Sequence, residues 1–247
     1  MESSIAGRVA IVTTNTEDEG ISAAEGLLRA GVRVSVWDPD ADELAQVRKE
    51  FEAAGLKADY RHVEITRLDA VQAAHDAVAR EFGDVDILVN HATLRGTYMA
   101  GPDNPSREPV PFWELNIDRF HRAVEVNIVG MYTCSRVVAA GMVARGHGSI
   151  MTQTTSGNTK RNPFNQPYGA SKAFVEAFTA AAADGLKQYG VRCNAFQSSG
   201  QTNRRGEYDQ KKLPFDCMLP MILYLASDAS RDVTGQVLDR ETFKAPG

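Results

Sequence analysis

The sequence predicts an α/β fold in which one parallel sheet of about seven strands is covered by helices on both faces. The first observation behind this prediction is that short apolar segments alternate with helical segments along the whole 247-residue chain. Such alternation is typical of βαβ units, whose strands are buried on both faces and therefore read as apolar runs. The second is that no linker, repeat or low-complexity segment interrupts it, so we expect a single domain over residues 1–247.

The expected elements follow one another in a regular order. Strands are expected where apolar and β-branched residues cluster, and helices where apolar residues recur every three or four positions. The result is a doubly wound, Rossmann-type sheet, whose ligands bind beyond the carboxyl ends of the strands. The expected strands are 9–13, 32–38, 58–66, 86–90, 148–154, 191–197 and 235–239, and the expected helices are 20–31, 40–55, 68–83, 118–145, 167–188 and a broken helix over 215–227.

Composition narrows the function classes. The formal net charge of −5 argues against nucleic-acid binding, which favours a basic face. The three cysteines have no metal-type spacing and form no disulfide framework, which favours a reducing compartment. The N-terminus lacks the pattern of a signal peptide, and no apolar run reaches the roughly 18 residues of a membrane span. We therefore expect a cytoplasmic, soluble protein without a membrane partner or a metal site.

One motif in the last third of the chain indicates chemistry. It is "YGASK", Tyr168 to Lys172, inside "QPYGASKAFVEAF" and ahead of the strand "VRCNA". The segments "DILVN", "EVNIVGMYTCSR", "GHGSIM" and "LYLASDASRDVTGQVL" accompany it. With these motifs the chain resembles the short-chain dehydrogenase/reductase family over essentially its whole length. The resemblance implies hydride transfer between a nicotinamide cofactor and a carbonyl or alcohol.

The resemblance assigns catalytic roles to four residues. Tyr168 would be the acid/base, and Lys172, one helical turn further on, would favour its phenolate. The family's carbonyl-polarising hydroxyl lies thirteen residues before the tyrosine, where this chain has Thr155 in place of the usual serine. Asn127 matches the asparagine that extends the family's proton relay. The alternative for Tyr168 is a packed aromatic residue whose hydroxyl is satisfied.

The turn after the first strand departs from the family pattern. "TTNTEDEG", residues 13–20, aligns with the family's Thr-Gly-x-x-x-Gly-x-Gly, so Thr14 and Asp18 replace two glycines and only Gly20 remains. Those glycines allow a tight turn and the close approach of backbone to a pyrophosphate. The three consecutive acids at 17–19 add repulsion, because two like charges about 5 Å apart cost roughly 3 kcal/mol at an effective dielectric of about 20. We expect dinucleotide binding to be poor or absent.

A structural interpretation of the same turn is that it satisfies the start of its own helix. Thr16 and Glu19 have the spacing of a capping box. Acids in a first helical turn also complement the helix dipole, each by about 0.3–1 kcal/mol. The helix start that receives phosphate in the family would then be satisfied by oxygens of the protein itself.

The other positions that bind cofactor in the family are mixed. Asp38 ends the second strand, where an acid in the family binds the adenosine ribose and favours NAD, and Glu64 stands where the family usually has Asp beside the adenine. Asn90 is retained, but His91 and Thr93 in "NHAT" bring bulk near the adenine side. His91 is expected to be a loop or core histidine and not a catalyst.

The two loops that would cover a substrate are altered or uninformative. Ser198 and Ser199 replace the family's Pro-Gly, and the segment that follows is shorter than the family's usual lid. In the loop 93–111 and just after it, the aromatic residues Tyr98, Phe112 and Trp113 are interpreted as packing anchors, with contact to a ligand as the alternative. The arginines Arg95 and Arg107 are interpreted as exposed, with contact to a carboxylate or a CoA phosphate as the alternative.

The departures concentrate on one ligand, whereas the strands and helices match the family. This contrast favours a non-catalytic subunit that binds no dinucleotide tightly and assembles with a homologous, active subunit to which NAD would belong. Family members assemble through two long helices, here about 118–145 and 167–188, so we expect a hetero-oligomer, in the form of a tetramer. Hydroxybenzylsuccinyl-CoA dehydrogenase is a family example with one intact and one degenerate subunit.

Two alternatives stay open at this point. The first is an active NAD(H)-dependent oxidoreductase that uses Tyr168 and Lys172 despite its unusual turn. The second is a non-redox lyase or isomerase that uses the same two residues without nicotinamide.

Overall fold

The computed structural model describes residues 4–14, 18–95, 110–162, 165–198 and 215–244. Within these residues seven strands form one sheet, and every neighbouring pair of strands is parallel. The strands are β1 (Val9–Thr13), β2 (Arg33–Asp38), β3 (Asp59–His62), β4 (Ile87–Asn90), β5 (Gly148–Thr154), β6 (Val191–Gln197) and β7 (Val237–Leu238). Their order across the sheet is β3-β2-β1-β4-β5-β6-β7. The prediction of a doubly wound, Rossmann-type sheet is confirmed.

Helices connect the strands and cover both faces of the sheet. They are α1 (Asp18–Arg29), α2 (Ala41–Ala53), α3 (Leu68–Phe82), α4 (Ile117–Val124), α5 (Met131–Arg145), α6 (Gly157–Lys160), α7 (Gln166–Leu186) and α8 (Leu219–Ala226). One apolar core joins α1, α2 and α8 to the sheet around Leu27, Phe51 and Leu225. The other joins α3, α5 and α7 to the opposite face around Val78 and Met142.

The predicted helix 118–145 is continuous but not uniform. A π-helical turn, Glu125–Gly130, joins α4 to α5. Single π turns inside α-helices are frequent at functional sites, and this one contains Asn127. The combined helix, Ile117–Arg145, is long and apolar enough to cross a membrane by length and composition. The expectation that no apolar stretch is long enough for a membrane span did not include this helix, because polar residues interrupt it. Because 56% of its most apolar window is buried inside the protein, it has the burial of a core helix.

Two predicted strands are shorter than expected. The segment 58–66 contributes only β3, since this edge strand pairs with β2 alone and the chain turns at Glu64, whose carbonyl accepts a bond from Arg67 N at 3.1 Å. The segment 235–239 contributes only β7, which pairs with Ala195 and Phe196 of β6. An edge strand makes backbone hydrogen bonds to a neighbouring strand on one side only, so a prediction from the apolar pattern alone overestimates its length.

Candidate functional site

The carboxyl ends of β1 and β4 lie side by side, because Thr13 is in register with Asn90. The hydroxyl of Thr13 accepts bonds from the backbone N–H groups of His91 (3.2 Å) and Ala92 (3.3 Å). The end of β1 is thereby tied to the segment that follows β4. This is the edge at which a doubly wound sheet binds its ligands.

Thr14, which replaces the first family glycine, is bound to the end of β2. Its N–H donates to Trp37 O at 2.7 Å, and its hydroxyl donates to Asp38 Oδ2 at 2.5 Å. The other carboxylate oxygen of Asp38 accepts from Asp40 N at 2.8 Å. Both Thr14 and Asp38 are buried. The acid that the resemblance assigns to a ribose is therefore engaged through both oxygens by this chain.

Glu19 is fully buried in the first turn of α1 and forms an ion pair with Arg95, which follows β4. Burying a carboxylate without a partner is costly, so the arginine is what makes this position tolerable. The prediction that Arg95 is exposed is wrong: its side chain is only 9% exposed. Sequence alone could not show the pairing, because the two residues are 76 positions apart and meet only when β1 lies beside β4.

His91 completes this buried group. Its Nε2 lies 3.5 Å from Glu19 Oε2, and neither ring nitrogen makes a well-formed hydrogen bond to a described residue. Burial lowers the pKa of His91 below its usual value, and although Glu19 opposes this, the charges of Arg95 and Lys172 add to it. The ring is therefore neutral near pH 7. The prediction of a core histidine is confirmed, since His91 is 1% exposed.

Gly20, the one family glycine retained in the turn, is needed for packing against the new side chains. A Cβ at this position would lie 2.7 Å from Thr14 Cγ2 and 3.3 Å from His91 Cβ. Such distances leave no room for a side chain unless its neighbours move. Because Gly20 has no side chain, the side chains of Thr14 and His91 can pack against its backbone.

The two other positions that the resemblance assigns to cofactor are also engaged. Asn90 donates through Nδ2 to Ser135 Oγ (2.9 Å) and Thr152 Oγ1 (3.2 Å), which ties β4 to α5 and β5. Glu64 accepts from Arg122 at 2.7 Å and from the Thr66 hydroxyl at 2.9 Å. Partial burial would raise the pKa of Glu64, but the bonds from Arg122 and Thr66 outweigh it, and the pKa is lowered.

The catalytic residues assigned by the resemblance lie at the end of β5 and the start of α7. Tyr168 and Lys172 are both buried, and Lys172 Nζ lies 5.4 Å from the centroid of the Tyr168 ring. Asn127, in the π turn, contacts the same helix between these two residues, where its Nδ2 donates to Ser171 Oγ at 3.1 Å. The same side chain accepts from Leu94 N at 2.6 Å and donates to Leu94 O at 3.0 Å. Thr155, directly after β5, is buried at the same edge.

Sequence reasoning missed Gln153, which contacts both members of the tyrosine–lysine pair. Its side-chain Nε2 donates to Thr154 O at 2.8 Å and lies 3.4 Å from the Tyr168 hydroxyl. The backbone carbonyl oxygen of Gln153 accepts from Lys172 Nζ at 3.1 Å. Gln153 is fully buried, and its Oε1 has no hydrogen-bond partner among the described residues. A glutamine inside the apolar strand "GSIMTQT" was the available sequence signal, because buried amides need partners.

Of the remaining predictions, one is wrong and several concern residues outside the described ranges. Phe112 and Trp113 are not packing anchors: their side chains are 65% and 72% exposed and contact each other edge-on at a centroid distance of 5.2 Å. They lie in a short surface helix, Phe112–Glu114, outside both cores. Thr16 of the capping box, the side chain of Asp18, and Tyr98, Arg107 and Ser199 lie outside the described residues.

Comparison with known proteins identifies the family. The family model described as short chain dehydrogenase matches residues 8–211, so the chain belongs to the short-chain dehydrogenase/reductase family. It is 29% identical over 256 residues to 2-dehydro-3-deoxy-L-rhamnonate dehydrogenase (NAD(+)) of Sphingomonas sp. (strain SKA58), covering 96% of this chain and 97% of that one. It is 31% identical to fluoren-9-ol dehydrogenase of Terrabacter sp. (strain DBF63), covering 94% and 70%.

A solved structure has a similar fold. The gluconate 5-dehydrogenase from Burkholderia cenocepacia J2315, in complex with NADP and tartrate, superimposes with a TM-score of 0.79 at 26% identity and covers 95% of this chain and 93% of that one. Since that relative holds a nicotinamide dinucleotide, the question for this chain is whether its own residues would accept one.

The residues at this edge do not fit a dinucleotide. The acid available for a ribose already accepts from Thr14 and Asp40. The methyl group of Thr14 and the imidazole of His91 occupy the space beside Gly20. A buried carboxylate, Glu19, lies in the first turn of α1, where a pyrophosphate would need the positive end of the helix.

Proposed function

We propose that this protein is a non-catalytic member of the short-chain dehydrogenase/reductase family. It would complete a hetero-oligomeric, NAD-dependent alcohol dehydrogenase, with a hydroxyacyl-CoA as one candidate substrate, without binding dinucleotide tightly itself. The observation that carries the proposal is the buried Glu19–Arg95 ion pair in the first turn of α1, beside the Thr14–Asp38 hydrogen bond.

Charge and space both support weak dinucleotide affinity. A pyrophosphate near Glu19 would meet a like charge, and displacing that carboxylate would break a buried ion pair. Breaking such a pair by removing one partner costs about 3–5 kcal/mol, and each 1.4 kcal/mol is about a tenfold loss of affinity. A ligand with micromolar affinity for an open site would therefore bind here only weakly.

Exposed apolar side chains on the two long helices support assembly with a homologous subunit. Val129, Tyr132 and Phe174 are exposed, although the ring of Phe178 packs against Tyr132 (5.8 Å) and against Phe174 (6.1 Å). Such a group of apolar residues on neighbouring helices is typical of a protein–protein interface. We propose that these helices bind an active paralogue in a tetramer that contains the cofactor, in the cytoplasm and without nucleic acid or membrane.

Calorimetric titration of the purified chain with NAD⁺ and NADH up to millimolar concentration tests the first part. We expect no saturable heat. A matched titration of the double variant Thr14→Gly, Glu19→Gln, which removes the crowding side chain and the repelling charge but keeps Arg95, should bind more tightly than the wild type. Micromolar binding by the wild-type chain would contradict the proposal.

Native purification tests the second part. A tag on this chain should recover a second short-chain dehydrogenase in a fixed ratio, and the pair should oxidise its alcohol with NAD⁺. Recovery of a homo-oligomer that turns over substrate by itself would contradict the proposal.

A second candidate function, an active dehydrogenase, has its own supporting observation. Tyr168, Lys172 and Asn127 are present, buried and close together, and the relatives are named as dehydrogenases. Turnover by the chain alone that is lost in Tyr168→Phe would favour this candidate. Activity of the assembled complex that is unchanged in Tyr168→Phe would favour the non-catalytic subunit.

A further inference from the structure

We infer that the first turn of α1 and Arg95 form an anion site of the pyrophosphate-binding type, which the carboxylate of Glu19 fills from within the chain. Glu19 is then the resident anion of the site, and a free diphosphate is excluded by competition for Arg95. This inference rests on the proposed loss of dinucleotide binding. It names the Glu19 carboxylate as one cause of that loss, which a substitution can remove.

The geometry of the turn supports an anion site. α1 is a twelve-residue helix that begins at Asp18, and the N–H groups of a first helical turn have no partners within the helix. These groups and the helix dipole favour a negative charge at this point. Glu19 places its carboxylate in that turn, and Arg95 reaches it from the segment after β4.

Burial shows that this ion pair differs from a surface ion pair. The Glu19 side chain is fully buried and that of Arg95 is 9% exposed. The same helix carries a surface pair, Glu25 with Arg29 at 2.7 Å, in which the side chains are 30% and 56% exposed. A surface pair forms and breaks in water at little cost. The buried pair is instead a fixed arrangement, because breaking it would expose neither buried charge to water and would leave both uncompensated.

His91 is an independent indication that polar ligand atoms belong here. Its ring is 1% exposed and lies 3.5 Å from the Glu19 carboxylate, yet neither nitrogen makes a well-formed hydrogen bond to a described residue. Buried polar atoms without partners are rare in native proteins and call for a ligand, water or ion. An anion with more oxygens than a carboxylate would contact the His91 ring as well as Arg95.

Removing the Glu19 carboxylate should therefore open the site. We would titrate inorganic pyrophosphate, without divalent metal, into the full-length chain and its Glu19→Ala variant by calorimetry. The variant should bind at least about tenfold more tightly than the wild type, a difference of about 1.4 kcal/mol. Adding Arg95→Leu to Glu19→Ala should abolish this gain, because the arginine supplies the charge.

The matched control is Glu25→Ala, which removes an acid from the same helix and frees Arg29 at the surface. It should bind pyrophosphate no better than the wild type. If Glu19→Ala does not fold, Glu19→Gln, which keeps the shape but not the charge, is titrated in its place.

Failure of this inference and failure of the proposed function give different results. No gain of pyrophosphate binding in a folded Glu19 variant would overturn the inference and leave the non-catalytic subunit standing. A gain that persists without Arg95, or that also occurs in Glu25→Ala, would overturn it too. Micromolar NAD⁺ binding by the wild-type chain would instead contradict the proposed function.

Discussion

Two parts of the same sheet edge differ in how far they depart from the family. The relay end, formed by Asn127, Tyr168 and Lys172, keeps the residues of an oxidoreductase close together. The dinucleotide end, at the start of α1 and the segment after β4, has Thr14 and Asp18 where the resemblance expects glycines, and it contains a buried Glu19–Arg95 ion pair.

The difference indicates which of the residues that the resemblance assigns to catalysis also stabilise the fold. Asn127 joins the π turn to Leu94 and to Ser171, so its loss would cost stability even if no reaction took place. A glycine that only leaves room for a ligand has no such second role. In this chain the side chains of Thr14 and His91 fill the space beside Gly20.

The largest expected effect is at the dinucleotide end. Arg95→Leu leaves the buried Glu19 carboxylate without its cation and should lower the free energy of unfolding by about 3–5 kcal/mol. Urea unfolding followed by circular dichroism measures this loss. The control Arg29→Leu, which breaks the exposed pair with Glu25, should cost less than about 1 kcal/mol. Equal losses in the two variants would show that Glu19–Arg95 behaves as a surface pair.

The next effect is at the relay end. Asn127→Leu removes three hydrogen bonds and leaves Leu94 N and O unsatisfied, so it should cost about 2–4 kcal/mol of unfolding free energy. The exposed Asn116, which caps α4 by accepting from Arg119 N at 3.0 Å, is the comparison site, and Asn116→Ala should cost only about 1 kcal/mol. A loss below that of the cap would mean that Asn127 has no structural role.

A third prediction concerns pH. Because burial holds the pKa of His91 below its unfolded value of about 6.5, the unfolded state binds a proton that the folded state does not. Its contribution to stability is complete above about pH 6.5 and decreases as the pH falls, by at most about 1.4 kcal/mol per pH unit. Unfolding measured from pH 7.5 to 5 should show a shallower acid decline in His91→Gln. The same change at the exposed His121 is the control, and an identical decline in both variants would contradict the assignment.

The smallest effect is expected at Gln153. Gln153→Leu removes the Oε1 acceptor that has no partner among the described residues, one long contact to Tyr168 and the 2.8 Å bond from Nε2 to Thr154 O. Because Thr154 O still accepts from Ser198 N at 3.1 Å, the stability should change by no more than about 1 kcal/mol. The backbone bond to Lys172 is kept in this variant. Thermal unfolding measures the change, and a loss above about 2 kcal/mol would show that Gln153 is a structural tie between β5 and α7.

Much of the fold and part of the site could be predicted from the sequence. The periodic apolar segments predicted the doubly wound parallel sheet, and "YGASK" located Tyr168 and Lys172 on one helix face. The lengths of the edge strands and the surroundings of Phe112 and Trp113 were predicted wrongly, because local pattern does not report which side of an element is covered. The acids at 17–19 were expected to oppose dinucleotide as charges in the first turn, and the burial of Glu19 was not foreseen.

By itself, the sequence determined the α/β class and the family, because each depends on residues that are neighbours along the chain. Only the tertiary structure decided that Glu19 is buried, that Arg95 is its partner, and that Thr14 engages Asp38. Those contacts join residues 24 and 76 positions apart, and they exist because parallel strands bring their carboxyl ends to one edge. Whether a charge is costly or stabilising depends on what lies across that edge, and no local pattern contains this information.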